Sequence, residues 1–385
     1  MNDVYTSEFS LPEYPANLAR MIERNAARFQ SHPVYQDVRE DHLETLSWTQ
    51  YLQDVIHLQA SLKRLGIRRG DRVAILSRNR REMLEIEMAV MSMGAVAVPI
   101  FAGYPSVQAD RLTHFCDPAV VVVADLEQYE KLDTPESVPT IITFEPLDVS
   151  AANLVDFQDL LSGDQSDGNL AGADVEPDNV CLMMYTSGTM GKPKCVQLTH
   201  GNILSQQAAM RVLWKLSSRD RFLSYLPWHH SFGGIFEKYA ALYNGATLSL
   251  EHGYGKNIDL LLRNWAAVRP TVFFSVPRIY QEIVARMLQT PDLESVIFHD
   301  ELRFIFTAAA PLPKNISDHF EKHNIPVYEG WGLTETSPCC TVTDPSVPRV
   351  PGIVGKPIPG VEIRFDEDGE ILVRGPNIMK GYYKN

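Results

Sequence analysis

The feature that most constrains this chain is the alternation of uniformly apolar, strand-length runs with stretches of helical periodicity. Arg72-Val-Ala-Ile-Leu-Ser77, residues 95–100 and Val120-Val-Val-Val-Ala124 present no polar face, and Thr140-Ile-Ile-Thr143 continues the series. Residues 17–29 place Leu18, Met21, Ile22 and Phe29 at helical spacing. Residues 51–65 repeat the pattern through Leu52, Val55, Ile56, Leu62 and Leu65 until Gly66 stops it, and residues 82–93 read as a further helix. A strand apolar throughout must be covered on both faces, and strands separated by helices run parallel. The fold class is α/β.

At ~150 residues per domain, 385 residues make two to three units. Residues 162–178 are rich in Gly, Ser and Asp with little apolar periodicity, and form the best linker candidate. A second α/β unit opens at Val180-Cys-Leu-Met-Met184 and continues through strand-like runs at 222–226, 247–250, 271–275 and 303–307. After Pro338 the texture becomes turn-rich. Val361-Glu-Ile-Arg-Phe365 and Glu370-Ile-Leu-Val-Arg374 flank Asp366-Glu-Asp-Gly369, which predicts a β-hairpin. The expected organisation is a first α/β subdomain over 1–178 and a second over 179–340, both with mostly parallel sheets covered by helices. A small β-rich, barrel-like element begins over 341–385.

Charge narrows the partners. The balance of 35 Lys+Arg against 48 Asp+Glu, net −13, disfavours nucleic acid or an anionic membrane as main partner, while leaving room for one local basic site. With 45% hydrophobic and 22% charged residues, the chain has the composition of an ordered globular protein. No run approaches the ~18 apolar residues of a spanning helix, and the N-terminus has no signal-peptide pattern. Five cysteines without a Cys-x-x-Cys pair disfavour disulfides and structural zinc, so the expected compartment is the cytoplasm. The vicinal Cys339 and Cys340 read as small buried residues.

The segment that promises chemistry is Tyr185-Thr-Ser-Gly-Thr-Met-Gly-Lys-Pro-Lys194, directly after a buried strand. Thr186, Ser187 and Thr189 supply hydroxyls, and Gly188 and Gly191 let successive N–H groups turn inward. Lys192 and Lys194 add positive charge, completing a cradle suited to polyphosphate. A flexible surface turn has the same composition; the position after a strand favours phosphate. It is not a Walker A loop, because Pro193 follows Lys192.

With that loop, five further segments in order resemble the adenylate-forming enzymes: acyl-CoA synthetases, nonribosomal-peptide adenylation domains and luciferases. Leu226-Pro-Trp-His-His230 resembles the acyl-pocket motif, and Thr307-Ala-Ala-Ala-Pro-Leu312 the adenine-side segment. Tyr328-Glu-Gly-Trp-Gly-Leu-Thr-Glu-Thr336 resembles the nucleotide and magnesium segment. Gly355-Lys-Pro-Ile-Pro-Gly360 and Gly369-Glu-Ile-Leu-Val-Arg-Gly375, with Gly381-Tyr382, resemble later motifs. The resemblance implies ATP contacts from Thr186, Ser187, Gly188, Thr189, Gly191, Lys192 and Lys194. It adds Ala309, Ala310 and Pro311 beside adenine, and Glu329, Gly330, Trp331, Gly332 and Thr334 around the nucleotide. Mg²⁺ would be held by Glu335 with Thr186, and His230 would line the carboxylate end of the acyl pocket. Thr186, Lys194, His230 and Glu335 are the implied catalytic set.

Read on their own, these residues have plainer alternatives. A lone Glu is usually a solvated loop acid, although Mg²⁺ does take few protein carboxylates. Trp331 suits a core position as well as an adenine face. Adjacent His229 and His230 cannot both face one site from an extended segment, and neither need be a base, since a carboxylic acid is already ionised near neutral pH. Met190 and Cys195 stand where the family usually has Thr and Gly. The chain also stops just before the family's Thr-Gly-Asp motif, which implies the large N-terminal domain of a longer enzyme or a natural partial relative.

The implied reaction couples a carboxylate to ATP, giving an acyl-adenylate and then a thioester with CoA. Ser231-Phe-Gly-Gly-Ile-Phe236 lacks an acid to hold an amino group, and Gly233-Gly234 leaves room for a long tail. Phe273-Phe-Ser-Val-Pro-Arg-Ile-Tyr280 is most similar to long-chain fatty acyl-CoA synthetases. The expected substrate is therefore a medium- to long-chain fatty acid. Other readings are an acyl-AMP ligase, an aryl-acid CoA ligase, and a noncatalytic ligand-binding or scaffold protein; peripheral contact with a membrane stays open.

Overall fold

The computed structural model describes residues 3–39, 42–149, 151–163, 168–186, 193–344, 346–350 and 352–384. Two large mixed sheets carry the fold. One has eight strands in the order Gly381–Tyr382, Lys194–Thr199, Val180–Thr186, Val96–Phe101, Arg72–Ser77, Pro118–Val123, Ile141–Thr143, Leu154–Asp156. The other has nine, in the order Lys356–Pro357, Cys339–Val342, Val327–Gly332, Phe304–Thr307, Val272–Ser275, Arg221–Ser224, Thr247–Leu250, Pro33–Val38, Leu43–Ser47. Their central strands run parallel, as apolar strands separated by helices require, and antiparallel pairs occur towards the edges.

The apolar periodicity works as expected. Leu18–Phe29 is a helix with Leu18, Met21 and Ile22 fully buried, and the Asn17 side chain caps it by accepting the Arg20 N–H at 2.9 Å. Trp48–Arg64 and Arg81–Ser92 follow the predicted helices, each shifted slightly towards the N-terminus. Helices Arg81–Ser92 and Lys238–Asn244 meet in the interior through an ion pair, Lys238 Nζ to Glu87 Oε1 at 2.5 Å, with both side chains almost fully buried.

The expected boundary at 178/179 does not separate the sheets. Val180–Thr186 and Lys194–Thr199 complete the sheet built mainly from residues 72–156, whereas Pro33–Val38 and Leu43–Ser47 complete the sheet built mainly from residues 221–357. Nor is the described part of 162–178 a free linker. Asn17 Nδ2 donates to the carbonyls of Gly172 and Val175, Gln59 brackets Ala171, and Val175 is buried. Hydrogen bonding to backbone carbonyls needs no apolar pattern, so composition could not reveal it.

The C-terminal hairpin forms as Glu362–Phe365 and Ile371–Arg374, with Gly369 at φ +81° in its turn. Among the described residues no barrel closes. The hairpin gains only Tyr5–Thr6, making an open three-stranded sheet. Lys356–Pro357 and Gly381–Tyr382 instead become edge strands of the two large sheets, so residues 341–385 are spread over all three.

Candidate active site

Strands Val180–Thr186, Arg221–Ser224, Phe304–Thr307 and Val327–Gly332 lead at their carboxyl ends towards the segments singled out for nucleotide and acyl group, where open α/β sheets place their ligands, whereas the later segments at 355–360, 369–375 and 381–382 contain edge or hairpin strands of their own. Thr186 ends one strand and Lys194 begins the next, and the two pair directly across the hairpin. Ser187, Gly188, Thr189, Gly191 and Lys192 lie outside the described residues, as does Met190. Cys195 and the neighbouring Cys116 are buried, and burial pushes each thiol up to about 12, which suits packing rather than reactivity.

The short helical turn Thr334–Thr336 presents Glu335 half-buried. Its Oε1 accepts the Tyr382 hydroxyl at 2.8 Å. Burial, followed by this carboxylate, pushes the Tyr382 phenol up to about 12. The Lys194 ammonium lies 4.8 Å from the centre of the Tyr382 ring, and among the described residues Lys194 makes no ion pair. The turn is held from beneath by Asn377, whose Nδ2 donates to the Thr336 carbonyl at 2.9 Å, and Met379 N–H donates to the Glu335 carbonyl.

Thr334 reaches the other way, donating to Ser231 Oγ at 3.1 Å, so the segment after Gly332 meets the segment after Leu226. Asn79, just beyond strand Arg72–Ser77, clamps that second segment. It donates to the Leu226 carbonyl at 2.7 Å and accepts the Trp228 N–H at 2.8 Å. The two histidines lie in a turn, not an extended segment, with His230 N–H donating to the Pro227 carbonyl at 3.1 Å, and they face different surroundings. His229 stacks on Phe101 with ring centres 4.4 Å apart, and burial, with His230 beside it, pushes it down to about 4. His230 reaches solvent, yet the protein around it holds its pKa below the ordinary value. Its Nδ1 accepts the Phe232 N–H at 3.3 Å, leaving the proton of the neutral ring on Nε2 as a donor.

Ala309, Ala310 and Pro311 form an exposed loop after strand Phe304–Thr307, with Ala309 at φ +72°. Glu329 is turned inward: Oε1 accepts Leu312 N–H and Arg349 Nη2, each at 2.8 Å. This buried pair fixes the loop from behind instead of presenting Glu329 to a ligand. Trp331 is partly buried against the core. At Gly330 a methyl would come within 2.8 Å of the Phe306 ring, and at Gly332 within 1.7 Å of the Pro338 carbonyl, so packing alone demands both glycines. Packing also explains Gly233 and Gly234. They lie in a π-helical segment, Phe232–Glu237, where methyls would meet the Leu226 and Trp228 carbonyls at 2.7 and 1.9 Å. The expected open slot at this pair is filled by backbone.

Sequence reasoning gave no site role to Asn79, Ser231, Arg349 or Tyr382, although Ser231 and Tyr382 lie in segments it singled out. Asn79 and Ser231 had a usable signal, a polar residue beside an apolar strand end; the other two act through contacts distant in sequence.

A sequence model of the AMP-binding enzyme family matches residues 22–383. The chain is 31% identical over 364 residues to a feruloyl-CoA synthase of an Amycolatopsis species, covering 88% of this chain and 66% of that protein. It is 26% identical over 420 residues to a long-chain-fatty-acid–CoA ligase of Mycobacterium bovis, covering 96% and 69%. The chain thus spans about two thirds of the length of these relatives. Among solved structures, apo MatB from Rhodopseudomonas palustris superposes with a TM-score of 0.80 at 25% identity, over 96% of this chain and 72% of that one.

Proposed function

The chain belongs to the AMP-binding enzyme family, and from that membership we propose that it carries the substrate-binding part of an ATP-dependent acid–CoA ligase. In this reading a carboxylate attacks the α-phosphorus of ATP, pyrophosphate leaves, and the acyl-adenylate passes its acyl group to the CoA thiol. The observation that carries the reading is convergence: Lys194, Tyr382 and Glu335 form one connected line, and Thr334 ties it to Ser231 beside His230. A cation, a carboxylate and a neutral imidazole donor are what triphosphate, divalent metal and substrate carboxylate would each require.

The barrier in joining two anions is their charge, and preorganised donors lower it most. Lys194 would hold phosphate oxygens at the mouth of the hairpin, with the hydroxyl of Thr186 opposite. Glu335 fits an Mg²⁺ ion: one oxygen is anchored by Tyr382 and the other has no protein partner among the described residues. When bound, Mg²⁺ would supply charge neutralisation on the phosphates. His230 Nε2–H would orient the carboxylate without exchanging a proton. Ala309, Ala310, Pro311 and Trp331 would border the adenine.

A fatty acid of medium to long chain is the proposed substrate, supported by the ligase relatives and by the absence of an acid within 231–236. A second reading, an aryl or arylpropenoic acid, is favoured by a specific observation. Phe232, Phe236, Phe274 and Phe306 pack in mutual contact behind the Ser231 segment, so the core beneath it is aromatic. Pyrophosphate release measured with ATP, Mg²⁺ and either dodecanoate or ferulate separates the two. Release with dodecanoate supports the first, release with ferulate alone the second, and a chain that binds Mg·ATP yet neither binds nor turns over either acid would remove both.

A further inference from the structure

Lys194 and Glu335 carry opposite charges and face the same aromatic ring, yet they do not meet. Tyr382 stands between them, its π-face towards the ammonium at 4.8 Å and its hydroxyl on the carboxylate at 2.8 Å. Its position is fixed by backbone pairing on both sides. Tyr382 pairs with Val196, Lys380 N–H donates to the Gln197 carbonyl at 2.9 Å, and Tyr383 N–H donates to the Cys195 carbonyl at 2.8 Å. Beyond it, Tyr383 Oη and Lys384 Nζ both bond Asp117, at 2.9 and 2.8 Å. The ring is therefore anchored to the strand that begins with Lys194, while its hydroxyl reaches the turn that carries Glu335. A phenol donating to a carboxylate gains electron density, which strengthens its hold on a cation over its face.

Without a body between them, a half-buried ammonium and carboxylate on long side chains close into an ion pair. Each would then be spent on the other. We propose that Tyr382 is a positioning residue that holds the Lys194 ammonium and the Glu335 carboxylate apart, keeping both open to an anionic phosphate and a divalent cation. The proposal rests on the nucleotide-site reading given above. It assigns Tyr382 a role distinct from sheet edging, since the neighbouring Tyr383 also pairs with the Lys194–Thr199 strand through its backbone but turns its hydroxyl to Asp117.

The test follows the rate at which a small amine-acylating reagent labels Lys194, read by peptide mapping, on folded chain without nucleotide. Tyr382→Leu should slow labelling on the order of fivefold, the factor that about 1 kcal/mol of ion pairing represents. Glu335→Gln in that background should restore the rate to about that of the starting chain, a rescue that a merely structural role for the ring would not produce. Glu335→Gln alone should change the rate less than about twofold. Unchanged labelling in Tyr382→Leu, or fast labelling released by Glu335→Gln alone, overturns the proposal; the second arm decides even where Tyr382→Leu does not fold. Mg²⁺-dependent ATP binding, followed in parallel, keeps the two readings apart. If the starting chain binds no Mg·ATP the nucleotide site falls, whereas normal binding with unaltered Mg²⁺ dependence in folded Tyr382→Leu counts against Tyr382 alone.

Discussion

At Gly234 a methyl group would sit 1.9 Å from the Trp228 carbonyl oxygen and 2.9 Å from Met184 Cε. Gly234→Ala should therefore destabilise the fold by about 1–3 kcal/mol, visible as a lower unfolding midpoint, because overpacking forces backbone to move. A variant that unfolds normally but only rejects longer acids would instead favour an open slot there. His200 shows the same weight of local context. It is fully buried, its Nδ1 accepts the Leu18 N–H at 3.2 Å, and burial pushes its pKa down to about 4. Between about pH 6.5 and 4 the unfolded chain takes up a proton that the folded chain refuses, so stability falls on acidification across that window, by at most about 3 kcal/mol. His200→Asn keeps an acceptor for Leu18 and removes the titration. Unfolding measured from pH 7 to 4.5 should show a flatter profile in the variant; parallel profiles would contradict this account. Neither behaviour was legible in the residues alone, because a glycine pair and a histidine read alike whether they face space or backbone.

Elements were the most legible level where apolar residues set the period. Strand Arg72–Ser77 has the expected bounds, and strand Thr247–Leu250 and the hairpin around Asp366–Gly369 also form as read. The hairpin Pro33–Val38 with Leu43–Ser47 went unread, since its strands mix polar and apolar residues and contribute an edge. The π-helical segment Phe232–Glu237 was equally invisible: its first half carries the glycines, and it runs directly into Lys238. What holds that region is the buried Lys238–Glu87 pair, joined by Tyr239 Oη donating to the same oxygen at 3.2 Å. Breaking one side of such a pair strands the other charge, whereas replacing both with apolar groups is often tolerated. Lys238→Met should cost about 3–5 kcal/mol in denaturant unfolding, and adding Glu87→Leu should recover much of it. Additive losses in the double variant would show that the pair is not coupled.

Over the whole molecule, strand exchange is what sequence order concealed. Strands Pro33–Val38 and Leu43–Ser47, and strands Val180–Thr186 and Lys194–Thr199, each cross to the sheet built mainly by the other part of the chain, so a boundary drawn where composition changes cannot follow the sheets. The same exchange builds the candidate site. Asn79 and Phe101 from one sheet contact residues 226–229 from the other, and Tyr382 brings the final edge strand onto Glu335. The segments that would carry the chemistry stood out in the sequence through their resemblance to family motifs, since a glycine- and lysine-rich turn or a lone Glu has plainer readings; the residues that hold those segments together did not stand out, because they work at sequence separations of 47 for Tyr382 with Glu335 and 147 for Asn79 with Leu226. The central claim is that these segments form one site for nucleotide and apolar carboxylate. Calorimetric titration of the folded chain with a nonhydrolysable dodecanoyl-adenylate analogue and its feruloyl counterpart, with and without Mg²⁺, tests it most directly. The account predicts saturable one-to-one binding of at least one analogue, weakened by Lys194→Ala. No heat from either analogue, on chain shown to unfold cooperatively, would contradict it.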